Sequence, residues 1–337
     1  MSSAAKTLGK TAPTLAEADG SGNAGMTLFR CHRQMLSFLF REHSQRTASI
    51  MVFVASSFWG LLWVPMRMTE SMGVSPLWVQ FWFTSVPALL LAFVCARATL
   101  RERAYWGIYI AAGMCIGMGF TLYALGLLLA SVSKTTALFY LTPIWSAIIA
   151  KFVLGEQAGM RRWTAIGLAV IGCCLVMQIS PFAIAFETRD LLGLMSGVFW
   201  AIGTVVMRGC PQIDFRNATF MQYLCGGVIA GVAILVLGPD TPQPLATGKA
   251  MLMGLIFGGM VFLPSVLLTL RVMQYLSPAL VGILMLSEVL VAVISAMIFL
   301  GETLSIEQGI GIVVILVAGF VVATSKETHP QEPPTIS

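Results

Sequence analysis

Ten apolar runs, each close to the ~20 residues that carry a helix across a bilayer, occupy the chain between Ser49 and Ser325. They lie at about 50–67, 76–96, 105–129, 134–154, 163–180, 190–208, 217–237, 250–271, 277–299 and 306–324, separated by short stretches with Pro, Gly or charge. In hydrocarbon no water satisfies a free N–H or C=O, so each run must close its hydrogen bonds within itself. Runs of this length are too long for barrel strands, and all ten are expected to be helices. Composition agrees: 57% of residues are hydrophobic and 10% charged, too few charges to cover a soluble surface. The fold class expected is therefore an all-α integral membrane protein with ten transmembrane helices.

The net charge of +5 does not form a patch for nucleic acid, because the basic residues sit at the ends of apolar runs. With the N-terminus inside, 16 of the 20 Lys and Arg fall on the cytoplasmic side, among them Arg97, Arg101, Arg103, Lys151, Arg161, Arg162, Arg208 and Arg271. Excess positive charge stays inside, which puts both termini in the cytoplasm of an inner-membrane protein. Residues 1–48 carry six basic side chains and read as a disordered cytoplasmic tail; 326–337 form a second one. The three histidines, His32, His43 and His329, lie in these tails, and the seven cysteines contain no C-x-x-C. No metal or cofactor is expected.

An internal repeat organises the rest. Phe58-Trp59-Gly60-Leu61-Leu62-Trp63-Val64-Pro65-Met66-Arg67 matches Phe199-Trp200-Ala201-Ile202-Gly203-Thr204-Val205-Val206-Met207-Arg208 at five of ten positions, 141 residues later. The ending Leu154-Gly155-Glu156 returns 146 residues later as Leu300-Gly301-Glu302. Two five-helix halves follow, 49–180 and 190–325. Because five is odd, the second half enters from the opposite side, so the repeats are inverted, as in many secondary transporters with a site near the midplane. These motifs resemble the drug/metabolite transporter superfamily, specifically its EamA-type ten-helix members. In the family's repeat ending a Glu-Pro pair precedes the L-G-E glutamate; here one half has Thr142-Pro143 and the other Glu288-Val289. The resemblance implies a transporter of amino acids, other metabolites or drugs, with nucleotide sugars or phosphates among the cargo of relatives.

Glu288 is the candidate coupling or amine-binding residue. It lies about eleven residues into the ninth run, where an ionisable side chain costs about 3 kcal/mol or more if exposed to lipid, so it should face a cavity between the halves. A carboxyl buried without a fixed cation can take up a proton or neutralise a substrate amine, which makes protons the candidate coupling ion. Trp59, Trp63, Tyr123, Tyr140 and Trp200 are candidate ring contacts for substrate, with Thr142 beside them; the alternative for each is packing. Trp59 and Trp200 occupy matching positions and should face each other across the pseudo-two-fold axis. Pro143 removes a helical bond and frees the Phe139 carbonyl for substrate or for a hinge, and Pro264 is a second hinge candidate. Glu156 and Glu302, at span ends, are capping or gate candidates.

The function expected is secondary active export of small amphipathic metabolites such as amino acids, by alternating access of a monomer in the lipid bilayer. A carrier of anionic nucleotide sugars or phosphates would want Lys or Arg at the midplane, and none is there. An intramembrane enzyme would want a nucleophile with a base, a His pair or a metal, and the runs hold no histidine. Reporter fusions that fluoresce only in the cytoplasm should light at Ser337 and stay dark in the 180–190 loop; the reverse pattern would overturn the orientation.

Overall fold

The computed structural model describes residues 45–130, 132–156, 159–178, 187–300 and 305–323. Among them every regular element is helical. Seven helical stretches are long and apolar enough to cross a membrane: Gln45–Glu70, Pro76–Arg101, Arg103–Gly126, Thr135–Leu154, Thr188–Gly209, Phe215–Leu237 and Pro244–Met273. Pro278–Val291 and Ile306–Val321 are shorter apolar helices.

Several of the apolar runs are not single helices, and proline chemistry explains most of the breaks. The first divides into α1 (Gln45–Trp59) and α2 (Trp63–Glu70). Pro65 has no N–H to give the Leu61 carbonyl, which accepts from Val64 N at 3.1 Å instead, tightening the turn. After α3 (Pro76–Arg101) and α4 (Trp106–Leu129), the fourth run divides at Tyr140 and Leu141 into α5 (Val132–Phe139) and α6 (Thr142–Leu154), with Pro143 just inside α6. The helices α7 (Met160–Val176), α8 (Leu191–Gly209) and α9 (Phe215–Leu237) are unbroken. Then α10 (Pro244–Met253) runs into a nine-residue π-helix, Gly254–Phe262, before α11 (Leu263–Met273). Pro264 cannot donate to the Met260 carbonyl, and the wider ladder sits in the turns immediately before it. The ninth run divides into α12 (Pro278–Leu284) and α13 (Ser287–Leu300) around Met285 and Leu286, without a proline; α14 is Ile306–Ala323.

Small residues let the helix backbones approach. Helix α4 packs between α8 and α9, and α9 also packs on α3. A Cβ at Gly117 would sit 2.9 Å from the backbone of Gln222 and Gly226, and one at Gly254 2.8 Å from the Trp82 carbonyl. Two G-x-x-x-G pairs, Gly113 with Gly117 and Gly254 with Gly258, therefore lie where α4 meets α9 and where the π-helix meets α3. At the edge of the bundle α7 and α14 pair through Gly172 and Gly311, each of whose Cβ atoms would fall within 3 Å of the other's carbonyl oxygen. Aromatic and aliphatic side chains fill the centre, with Trp200, Ile116, Met207, Leu280 and Met285 fully buried.

Gly311→Val should force α7 and α14 apart and cost about 1–3 kcal/mol, the usual range for overpacking. Gly319→Val in the same helix, where a Cβ meets nothing within 4 Å, should leave thermal unfolding in detergent unchanged. Equal melting of the two variants would refute the close-approach account.

Candidate functional site

Trp59 closes α1 and Trp200 sits in the middle of α8, and the two rings meet edge to face with centroids 5.4 Å apart. Both are buried, at 7% and 1% exposure. The Trp59 indole N–H donates to Ser265 Oγ at 2.7 Å, and that hydroxyl donates to the Ala55 carbonyl at 2.6 Å, which ties α11 to α1. The Trp200 indole nitrogen has no partner. Phe120 packs on Trp59 at 5.9 Å and Phe139 on Trp200 at 6.2 Å, so an aromatic wall crosses the centre of the bundle.

The two sides of this wall differ. On one side, two small adjoining cavities share Phe120, Tyr223 and Val266. Their remaining walls include Trp59, Phe83 and Phe262 with the polar residues Gln80, Thr84 and Gln222. They lie toward the turn between α2 and α3. On the other side Phe139 packs on Tyr123 at 4.7 Å and on Tyr140 at 5.3 Å. Tyr123 Oη and Thr136 Oγ1 are 3.3 Å apart. Both tyrosines are neighbours of Glu288, as is Cys173. Glu288 and Tyr140 face each other, and neither Glu288 Oε2 nor Tyr140 Oη, both buried, has another partner. Glu288 thus lies in an enclosed tyrosine cluster and lines neither cavity.

The remaining candidates fall in different places. Thr142 Oγ1 donates to the Phe139 carbonyl, the group that Pro143 frees, so the acceptor left by the proline is filled from within the chain. The same hydroxyl is 3.5 Å from the Gly197 carbonyl of α8. Pro143 also packs on Gly282 of α12, where a Cβ would come within 3.0 Å of its ring. Trp63 opens α2, but its side chain lies outside what the structure describes, and Glu302 lies outside the described residues.

Glu156 belongs to a polar network at the end of the bundle away from the cavities. Arg208 Nε donates to Glu156 Oε1 at 3.3 Å, while Arg208 Nη1 donates at 3.0 Å to the carbonyls of both Gln274 and Tyr275. Arg162 stands 3.9 Å from the other carboxylate oxygen. Nearby, Tyr109 Oη donates to Glu102 and accepts from the Asp214 N–H at 3.0 Å, and Asn217 donates to Glu102 at 3.2 Å. Gln274 Nε2 donates to the Ile213 carbonyl at 2.9 Å. These bonds join α3, α4, α8, α9 and α11 at one end.

Sequence reasoning found Trp59, Trp200 and Glu288 but passed over Gln80, Gln222, Tyr223 and Phe120, which no motif marks. The one available signal is register: Gln80 and Gln222 are 142 residues apart, close to the repeat offset. Among the described residues no group of three or more His, Cys, Asp and Glu is placed to hold a metal ion.

The sequence profile of the EamA-like transporter family matches residues 46–178 and again 188–324. The chain belongs to that family. This EamA-like protein is accordingly a multi-pass membrane protein of a transporter family. It is 25% identical over 127 residues to an S-adenosylmethionine uptake transporter of Rickettsia felis, covering 38% of this chain and 42% of that one. It is 21% identical over 162 residues to a riboflavin transporter of Rhizobium johnstonii, covering 48% and 52%. It is 25% identical over 262 residues to Protein RarD of Streptomyces exfoliatus, covering 70% and 79%. The chain thus spans well under two thirds of the length of the first two. A solved crystal structure superposes with a TM-score of 0.67 at 16% identity, over 83% of this chain and 97% of that one, a likeness of fold alone.

Arg208→Met removes the ion pair and leaves two carbonyls unpaired in the EamA-like protein, and should cost about 2 kcal/mol. Glu156→Gln, which alters only a partly exposed ion pair, should cost less than about 1 kcal/mol. Thermal unfolding in detergent compares them, and a reversed order would refute the anchoring role of Arg208.

Proposed function

We propose that the protein is a secondary active transporter of the inner membrane that exports small amphipathic metabolites, such as amino acids, by alternating access. The observation that carries this reading is the Trp59–Trp200 pair. Matching residues of the two halves meet at the centre, with a cavity on one side and an ionisable cluster on the other.

The packing pattern supports ten spans in two inverted halves. If the halves exchange, α4 on α8 becomes α11 on α1, α9 on α4 becomes α3 on the π-helix, and α6 on α8 becomes α13 on α1; all six contacts are present. The pairs α3 with α9, α6 with α12 and α7 with α14 map onto themselves. The helix breaks at 140–141 and 285–286 also correspond. A two-fold-related bundle of this kind can rock about its centre and offer the cavity to each side in turn.

In the orientation given by the charge asymmetry, the cavity lies toward the outer face and the Arg208–Glu156 network closes the cytoplasmic end. Glu156 then acts as a gate residue, with Glu302 its counterpart in the second half, and Pro143 and Pro264 mark the helix breaks about which the halves bend. Trp59, Trp63 and Trp200 with Tyr123, Tyr140 and Thr142 form the path of the substrate. Glu288 is the group that exchanges a proton or neutralises an amine, because nothing in the enclosed cluster supplies a fixed cation. No Lys or Arg lines the cavities, which speaks against phosphorylated cargo.

Glu288→Gln keeps the size of the side chain and removes its charge. In proteoliposomes it should fold, retain exchange, and lose gradient-driven transport by at least about tenfold, with a flat rate profile across about pH 5.5–8. Glu288→Asp should be partly active. Full gradient-driven activity of the Gln variant would overturn the role of Glu288.

A further inference from the structure

The cavities beside Trp59 contain a chemical imbalance that transport in general does not require. Trp59, Phe83, Phe120, Tyr223 and Phe262 supply aromatic faces, and no lining side chain carries a charge. Most polar groups there are already committed. The Thr84 hydroxyl donates to the Gln80 carbonyl at 2.9 Å, and the Trp59 indole donates to Ser265. The exceptions are the Tyr223 hydroxyl, which lines both cavities, and two primary amides. Gln80, in the larger cavity, and Gln222, in the smaller, are 2% and 4% exposed. Gln80 Nε2 and Gln222 Oε1 have no hydrogen-bond partner. Buried polar groups are nearly always paired, and an orphaned one marks a missing partner.

The two amides are also related to each other. They come from α3 and α9, which pack together and exchange under the repeat, and they are 142 residues apart, one position off the 141-residue offset that relates Trp59 to Trp200. Each amide offers both a donor and an acceptor, and the assignment of its two atoms follows from what binds. An ion placed between these walls would lose hydration without gaining a counter-charge. A flat neutral ring would gain the aromatic faces and supply the missing bonds.

Resting on the reading of the chain as a transporter, though with uncharged rings in place of amino acids as cargo, we propose that this cavity binds neutral, planar heteroaromatic molecules whose ring edges carry both N–H donors and carbonyl acceptors, held by the amides of Gln80 and Gln222. The aromatic walls supply affinity and the two glutamines supply selectivity.

The test uses the full chain in lipid nanodiscs and four probes in equilibrium binding: alloxazine, 1,3-dimethylalloxazine without its N–H donors, N-methylquinolinium and 2-naphthoate. Alloxazine should bind at least about tenfold more tightly than each of the others, the penalty of a polar site left unpaired. Gln80→Leu and Gln222→Leu should each reduce the preference over the dimethyl compound to roughly threefold or less, with the affinity for that compound within about twofold of the parent. Where a Leu variant aggregates, the Met variant at the same position replaces it. Equal binding of the charged or methylated probes, no binding of alloxazine, or an undiminished preference in the double variant would each overturn the proposal. The two readings fail separately. Proteoliposomes that move amino acids while the chain ignores alloxazine would refute the substrate class and leave transport standing. Selective alloxazine binding with no movement of it or of amino acids would refute transport and leave the site standing.

Discussion

The bilayer's refusal to hydrogen-bond the backbone is the constraint from which the rest follows. A helix meets it without help, and a proline breaks it at a defined carbonyl. This chain places prolines inside four apolar runs; α3 continues through Pro87, and the other three are compensated differently each time. At Pro65 the ladder tightens by one residue, at Pro143 the Thr142 hydroxyl takes the vacated carbonyl, and at Pro264 the preceding nine residues widen into a π-helix. All three adjustments lie around the aromatic centre, so backbone irregularity and the candidate site coincide. Irregular backbone at membrane depth is tolerated where protein or a cavity surrounds it, and the candidate site provides both.

Packing without a hydrophobic drive between helices depends on close approach. The glycines at 117, 254, 172 and 311 make that approach possible, where α4 meets α9, the π-helix meets α3 and α7 meets α14. The two stretches that match the family profile differ in side-chain chemistry. Trp59 has its indole bonded to Ser265 while Trp200 has none, and Thr142 stands where the other half carries Glu288. The two stretches share the Phe-Trp motif and differ in these polar side chains.

Much of this architecture was legible in the chain itself. Apolar run lengths gave helices, and the Phe-Trp repeat gave the meeting of Trp59 with Trp200. Periodicity gave less about polar contacts that need three segments to converge. The Glu102–Tyr109–Asn217 network draws on α3, α4 and α9, and each residue alone resembles an ordinary interfacial side chain. Gln80 and Gln222 were overlooked for a related reason: an uncharged amide within an apolar run costs little enough to raise no alarm, and only its missing partner makes it informative. Glu288 was conspicuous by its charge, yet depth along one helix could not say which side of the tryptophan pair it would occupy.

The Trp59–Ser265–Ala55 chain of hydrogen bonds has a mechanical meaning. The indole is anchored through Ser265 to α11, and Ser265 is anchored in turn to the carbonyl of Ala55 on α1, one turn before Trp59 itself. A slide of one helix past the other by a single residue, about 1.5 Å, exceeds what either bond tolerates. The ring that forms one wall of the cavity is therefore geared to the relative height of two helices, and the shape of the space open to a substrate reports how far they have moved.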